Sequence, residues 1–167
     1  MSSRLPARLV LLLPLLLTAA ACGPSVDLAA ALEVTDASGG FYDNGMKDGE
    51  HHVLPSVSFR LRNRTDLALD GIQVMVQFRR VGLEEDFDSR LVSGVRLAPG
   101  GRTDLTLVRA ERGYTLANPN IDELFDHSNF TDFTVRFFAR RSGAIVQIGE
   151  HQLERRILTQ PRDSDRP

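Results

Sequence analysis

Two stretches of strict two-residue alternation limit this chain to β architecture. Val57, Phe59 and Leu61 share one parity, while Ser58, Arg60 and Arg62 take the other. Ile72, Val74, Val76 and Phe78 repeat the pattern opposite Gln73, Gln77 and Arg79. Successive side chains of a strand point to opposite faces, so each stretch offers one apolar face and one wet face. Asn63-Arg64-Thr65-Asp66 makes a polar turn between them. Pro55 suits a strand start, where a missing N–H does least harm.

The rhythm extends in both directions. Leu32-Glu33-Val34-Thr35 alternates, and residues 28–34 are expected to form a first, edge strand, although the alanines also allow a helical start. Residues 38–52 contain Gly39, Gly40, Gly45 and Gly49 with Asp43, Asn44 and Asp48, which predicts a loop of about 15 residues. Residues 82–88 read as an acidic turn and 90–97 as a strand ended by Ala98-Pro99-Gly100-Gly101. Thr103, Leu105 and Leu107 continue the alternation on the next strand. Asn120 and Glu123 have the spacing of a capping box for a short helix over 121–127, whose Ile121, Leu124 and Phe125 share a face that lids one end of the fold. Residues 133–139 and 144–158 form a last hairpin around Arg141-Ser142-Gly143. Phe137 and Phe138 are consecutive, so one points away from the core, into a satellite cluster under 118–129 or an exposed patch. The expected fold is all-β, an antiparallel immunoglobulin-like β-sandwich with one short helix over 28–158. Residues 159–167, polar with two prolines, are expected to be a disordered tail.

From Val53 to Val108 the order is strand, Asn-containing turn, strand, acidic turn, strand, Pro-Gly turn, strand. It resembles the FxLYD-type domains of bacterial envelope proteins. The F-x-L-Y-D string itself is absent, and the resemblance covers about a third of the chain. It implies a binding or spacer module and brings no site with it.

The N-terminus says where the domain lives. Arg4 and Arg8 precede an apolar run from Leu9 to Leu17, then small residues and Cys22. That is the layout of a signal peptide over 1–21, and the run is too short for a transmembrane helix, which needs about 20 apolar residues. Ala19-Ala20-Ala21-Cys22 resembles a bacterial lipobox, with Ala19 where Leu is usual. The resemblance implies that Cys22 is acylated and becomes the mature N-terminus, with 22–27 as a lipidated spacer. Gly23, rather than the Asp that retains such proteins in the inner membrane, implies an outer-membrane lipoprotein facing the periplasm, with surface exposure also open. The alternative is an ordinary signal peptide with a chance cysteine. Cys22 is the single cysteine of the chain, so it has no intramolecular partner.

Without Arg4 and Arg8 the chain has 18 basic against 22 acidic residues. A mildly acidic, mixed surface argues against nucleic acid or anionic headgroups as partners. Catalytic signatures are absent from the sequence: there is no G-x-S-x-G, P-loop, dinucleotide fingerprint or HExxH. His51 and His52 are adjacent, so a strand would point them apart, and His127 and His151 lie far off. Asp43, Asn44, Asp48 and Glu50 could suit a weak calcium site or a solvated loop, and their spacing is not that of an EF-hand. Glu84, Glu85, Asp86 and Asp88 read as a solvated turn. No cofactor and no metal are expected.

The expected function is a lipid-anchored envelope binding or scaffold module without catalytic activity, attached to the membrane by its lipid and to a protein partner. A subunit of a secretion or efflux assembly and a surface-anchored hydrolase or metal-binding protein are the alternatives. The candidate partner-binding residues are Phe41 and Tyr42, the aromatics of the 38–52 stretch, either exposed as an anchor or folded back as a plug. The 113–130 segment is expected to assist.

Overall fold

The computed structural model describes residues 26–117 and 120–158. The expected signal peptide, Cys22 with its spacer up to Ser25, and the expected tail at 159–167 lie outside the described residues.

The order of elements is α1 (Leu28–Ala31), β1 (Leu32–Lys47), β2 (Glu50–Asn63), β3 (Leu69–Arg80), β4 (Asp86–Leu97), β5 (Thr106–Arg109), β6 (Tyr114–Leu116), a 3-10 helix (Ile121–Asp126), β7 (Phe133–Arg140), β8 (Val146–Gln152) and β9 (Ile157–Leu158). One sheet runs β5-β2-β1-β9, with β6 also pairing β2; the other runs β4-β3-β7-β8. The pairings are antiparallel except β1 with β9. The fold is thus all-β, two sheets packed as a sandwich.

The alternating residues build its core. Val57, Phe59, Leu61, Ile72, Val74, Val76 and Phe78 are all fully buried. Phe59 and Phe137 meet across the two sheets with ring centroids 4.8 Å apart. Each such side chain contributes roughly 1.5–3 kcal/mol before the entropy of ordering it is subtracted.

Four expectations need correction. Residues 28–31 are one helical turn, started by Asp27, whose carboxylate accepts from Ala29 N at 3.0 Å. The strand that follows is paired with β2 alone from Leu32 to Thr35 among the described residues, an edge there as expected; β9 joins β1 only at Phe41 and Tyr42.

Residues 38–52 are not a loop but the paired arms of the β1–β2 hairpin. Asp48 and Gly49 close it with φ of 54° and 84°, as a two-residue primed turn requires. Gly39 and Gly40 are there for close approach rather than flexibility. A Cβ on Gly39 would stand 2.4 Å from Leu153 Cδ2, and one on Gly40 would stand 2.7 Å from Arg156 O.

On β5 the inward residue is Val108, whereas Leu105 and Leu107 are exposed. The alternation there is real but shifted by one residue, which turns every side chain to the other face. Lastly, β7 and β8 do form the expected hairpin around Arg141-Ser142-Gly143, but its second arm ends at Gln152 and the chain beyond leaves it. It crosses to the first sheet, where Ile157 and Leu158 pair in parallel with Phe41 and Tyr42.

Asn63 organises one end of the sandwich. It is fully buried, and its Nδ2 donates to Leu67 O (2.7 Å) and Ala98 O (2.9 Å). Its Oδ1 accepts from Thr65 N (3.0 Å) and Thr65 Oγ1 (2.8 Å). The β2–β3 and β4–β5 turns are thereby tied together. Arg64 N donates to Ala31 O at 2.8 Å, which sets α1 at this same end. β1 then runs from Leu32, opposite Asn63, to Lys47, opposite Glu50, so the hairpin tip marks the far end, roughly 45–50 Å away at strand rise.

Candidate functional site

Near the hairpin tip, β6 lines the free side of β2, pairing Tyr114 with Val53 and Leu116 with His51. The 3-10 helix turns back beneath it because Leu124 is apolar on the inward side and fully buried. Asn120 Nδ2 donates to Glu123 Oε1 at 3.0 Å at the helix start. The expected lid is therefore present, as a 3-10 helix over 121–126.

Phe41 is the hub below this lid. Its ring packs on Phe125 (5.4 Å), Phe130 (5.3 Å), Phe133 (6.0 Å) and Tyr114 (6.3 Å between centroids). Tyr114 Oη donates to Thr131 O and accepts from Thr131 N, both at 3.2 Å, which fastens β6 to the segment entering β7. Arg155 clamps that segment from outside. Its Nε and Nη2 donate to Asp132 Oδ1 and Oδ2 at 2.8 Å each, and its guanidinium covers Phe130 at 5.4 Å. This hydrogen bonding holds the Asp132 carboxyl below its ordinary pKa.

Between β6 and the 121–130 segment lies a cleft of about 700 Å³. Leu116, Leu124, Tyr114 and Phe130 give it an apolar floor. Glu50, Thr115, Ala117, His127 and Asn129 form the mouth. His127 Nδ1 accepts from Asn129 N at 3.1 Å, so in the neutral ring the proton sits on Nε2. An apolar floor with a few polar groups at the rim is the make-up of a binding site.

The sequence candidates fall as follows. Phe41 and Tyr42 are 1% and 3% exposed, so the plug and not the anchor is what the structure contains, and neither ring is offered to a partner. Tyr42 faces away from Phe41, under the Arg109 guanidinium at 3.5 Å. Of the 38–52 stretch, Glu50 reaches the cleft, where it meets the expected 113–130 segment. Asp43 Oδ1 accepts from Gly45 N at 2.8 Å and lies 3.6 Å from His51 Nδ1, too far for a hydrogen bond. Among the described residues, no group of three or more His, Cys, Asp or Glu could hold a metal. Phe138 is on the outer face of the second sheet with Met75 and Leu91, not beneath 118–129. What the sequence reading lacked was the cleft itself. Its signal was the spacing of Tyr114, Leu116, Leu124 and Phe130, spread over elements too short to show periodicity.

No family model matches the chain, and no curated protein matches it. Among solved structures it is similar to a Northeast Structural Genomics Consortium target determined by X-ray, with 10% identity and a TM-score of 0.45 over 75% of this chain and 88% of that one. It is also similar to a beta-glucosidase from Listeria innocua in complex with glucose, with 13% identity and a TM-score of 0.32 over 76% of this chain and 16% of that one. At these values neither likeness informs function.

Proposed function

We propose that this chain is a lipid-anchored module of a bacterial cell envelope, held on a membrane by acylated Cys22, which binds a protein partner at its cleft without catalysis. The outer membrane is the expected address, with the domain in the periplasm, because Gly23 follows Cys22. The observation that supports this reading is the separation of the two ends. α1 adjoins Asn63 at one end, and the cleft opens near the hairpin tip at the other. Four peptide steps join Cys22 to Val26, a span of at most about 14 Å. A lipid on Cys22 would keep the α1 end beside the membrane and turn the cleft away from it. Two acyl chains or more make such attachment lasting, at about 0.8 kcal/mol per buried methylene. Among the described residues, the cleft lining supplies apolar surface and hydrogen-bonding groups with no nucleophile held against a base, which suits binding.

Two variants of the full chain test the two halves of the reading. Cys22→Ala should leave the membrane fraction or stall in processing; processed, membrane-bound Cys22→Ala protein would refute the anchor. Thr115→Arg, an exposed change at the cleft mouth, should stay on the membrane and lose the partner recovered by cross-linking to wild type. Unchanged partner recovery would refute the cleft.

A further inference from the structure

β4 is a free edge, since it pairs with β3 on one side and with no strand on the other among the described residues. Its charges are sorted along its length, with Asp86 and Asp88 first and Arg90 and Arg96 later. Leu91 lies midway and is 60% exposed. Met75 is its neighbour on β3, and Phe138 is the neighbour of Met75 on β7. An apolar row Leu91–Met75–Phe138 thus crosses three strands on the outer face, with Ile145 beside it around a small hollow of about 140 Å³. Gln73, Gln77, Arg79 and Arg136 occupy the same face around it, so the row is an island that runs out at an open edge.

We infer that a second copy of this chain docks on this edge, the two β4 strands pairing about a two-fold axis through Leu91. A two-fold axis makes a strand meet itself antiparallel, which joins the two four-stranded sheets into one of eight. The apolar row then doubles, because Leu91 of each copy stands beside Leu91 of the other. Charge fits the same axis. Asp86 and Arg96 each lie five positions from Leu91, and each arm contains one bulged residue.

Asp86 lies on the outer face, where it accepts from Gln77 Nε2. Arg96 follows Val95, which is opposite the buried Ile72, so it too faces outward. It has no carboxylate within ion-pair distance among the described residues. The axis therefore sets Asp86 of each copy opposite Arg96 of the other. Arg90 falls opposite Val92, whereas a slip of two residues, which moves the axis to position 90, would set Arg90 against itself. Opposite charges across strands stabilise and like charges destabilise, so the register is specified. Bulges and charges commonly protect free edges. Here the bulges leave Asp88 to Val92 in unbroken register, and the charges are self-complementary.

The test introduces Leu91→Cys into the full chain, with wild type as the control for any chain whose Cys22 is left unacylated. Directly opposed residues of an antiparallel pair have the Cα spacing a disulfide needs. Mild oxidation should therefore link Leu91→Cys dimers about tenfold faster or more than Met46→Cys or Ile145→Cys, which are exposed but stand at the β1–β2 hairpin tip and in the β7–β8 turn. In sedimentation of the detergent-solubilised chain, wild type should be a dimer. Asp86→Arg should weaken it about tenfold, and adding Arg96→Asp should restore it. Circular dichroism confirms that each variant is folded. Cross-linking no faster at 91 than at 46 or 145, a monomeric wild type, or a charge reversal that restores nothing would each overturn the proposal.

Discussion

Asn63 offers the sharpest test of how the α1 end is held. Asn63→Ala removes all four side-chain hydrogen bonds at once. Thr65 Oγ1 keeps a second acceptor, Leu67 O at 3.3 Å, but Leu67 O, Ala98 O and Thr65 N lose the amide. A net hydrogen bond is worth about 1 kcal/mol, and an orphaned buried group costs about 1–3 kcal/mol. Water entering at the turns offsets part of this, which leaves a loss of about 3 kcal/mol. A domain of this size loses roughly 3–5 °C of Tm per kcal/mol, so melting should fall by roughly 10 °C. The assay is thermal and urea unfolding followed by circular dichroism. Asn63→Asp adds a second signature. It keeps the shape but aims a carboxylate at two carbonyl oxygens, which raises its folded pKa above the unfolded one. The variant should therefore come closest to wild type in acid and lose stability as pH rises. If Asn63→Ala melts within about 2 °C of wild type, the amide is not what ties the turns together.

Two further outcomes follow from the aromatic end. Phe41→Ala with Tyr42→Ala should lower stability by several kcal/mol, about 3–5 from Phe41 alone, while membrane attachment is unchanged; unaltered melting would contradict the buried plug. Asp132→Asn should lower stability only slightly at neutral pH, since solvent screens the exposed Arg155 that pairs with it. Because the folded carboxyl titrates below its ordinary value, its contribution is present above about pH 4 and disappears as pH falls through the lowered folded pKa. An equal difference between wild type and variant at neutral and strongly acidic pH would refute that account.

The sandwich was legible where one face is buried and the other wet. Val57 to Leu61 and Ile72 to Phe78 announce their strands because their inward residues are all apolar and their outward ones, Met75 aside, are polar. The β1–β2 hairpin was hidden by its glycines. Gly39 and Gly40 resemble loop residues in sequence, and nothing local reveals that Leu153 and Arg156, over a hundred positions later, press against them. Asp48-Gly49 was the available signal, a strong hairpin dipeptide. Leu105 and Leu107 misled for a related reason: alternation gives a period but not which phase faces inward, and the shorter Val108 and Ala110 hold that side. The cleft was half legible. Its 113–130 wall was expected, but the 3-10 helix is too short for a periodic pattern, and Glu50 arrives through a hairpin read as a loop.

The long β1–β2 hairpin also bears on what happens when the two ends are pulled apart. If Cys22 holds a membrane beside α1 and a partner fills the cleft, as proposed, tension would run along the strands. The pairs from Leu32–Asn63 to Lys47–Glu50 would then share the load in parallel instead of opening one at a time. The clamp of Arg155 on Asp132 and the Tyr114–Thr131 bonds would carry it into the second sheet. A domain strung this way would resist extension better than one gripped across its strands, because several backbone hydrogen bonds would have to break together.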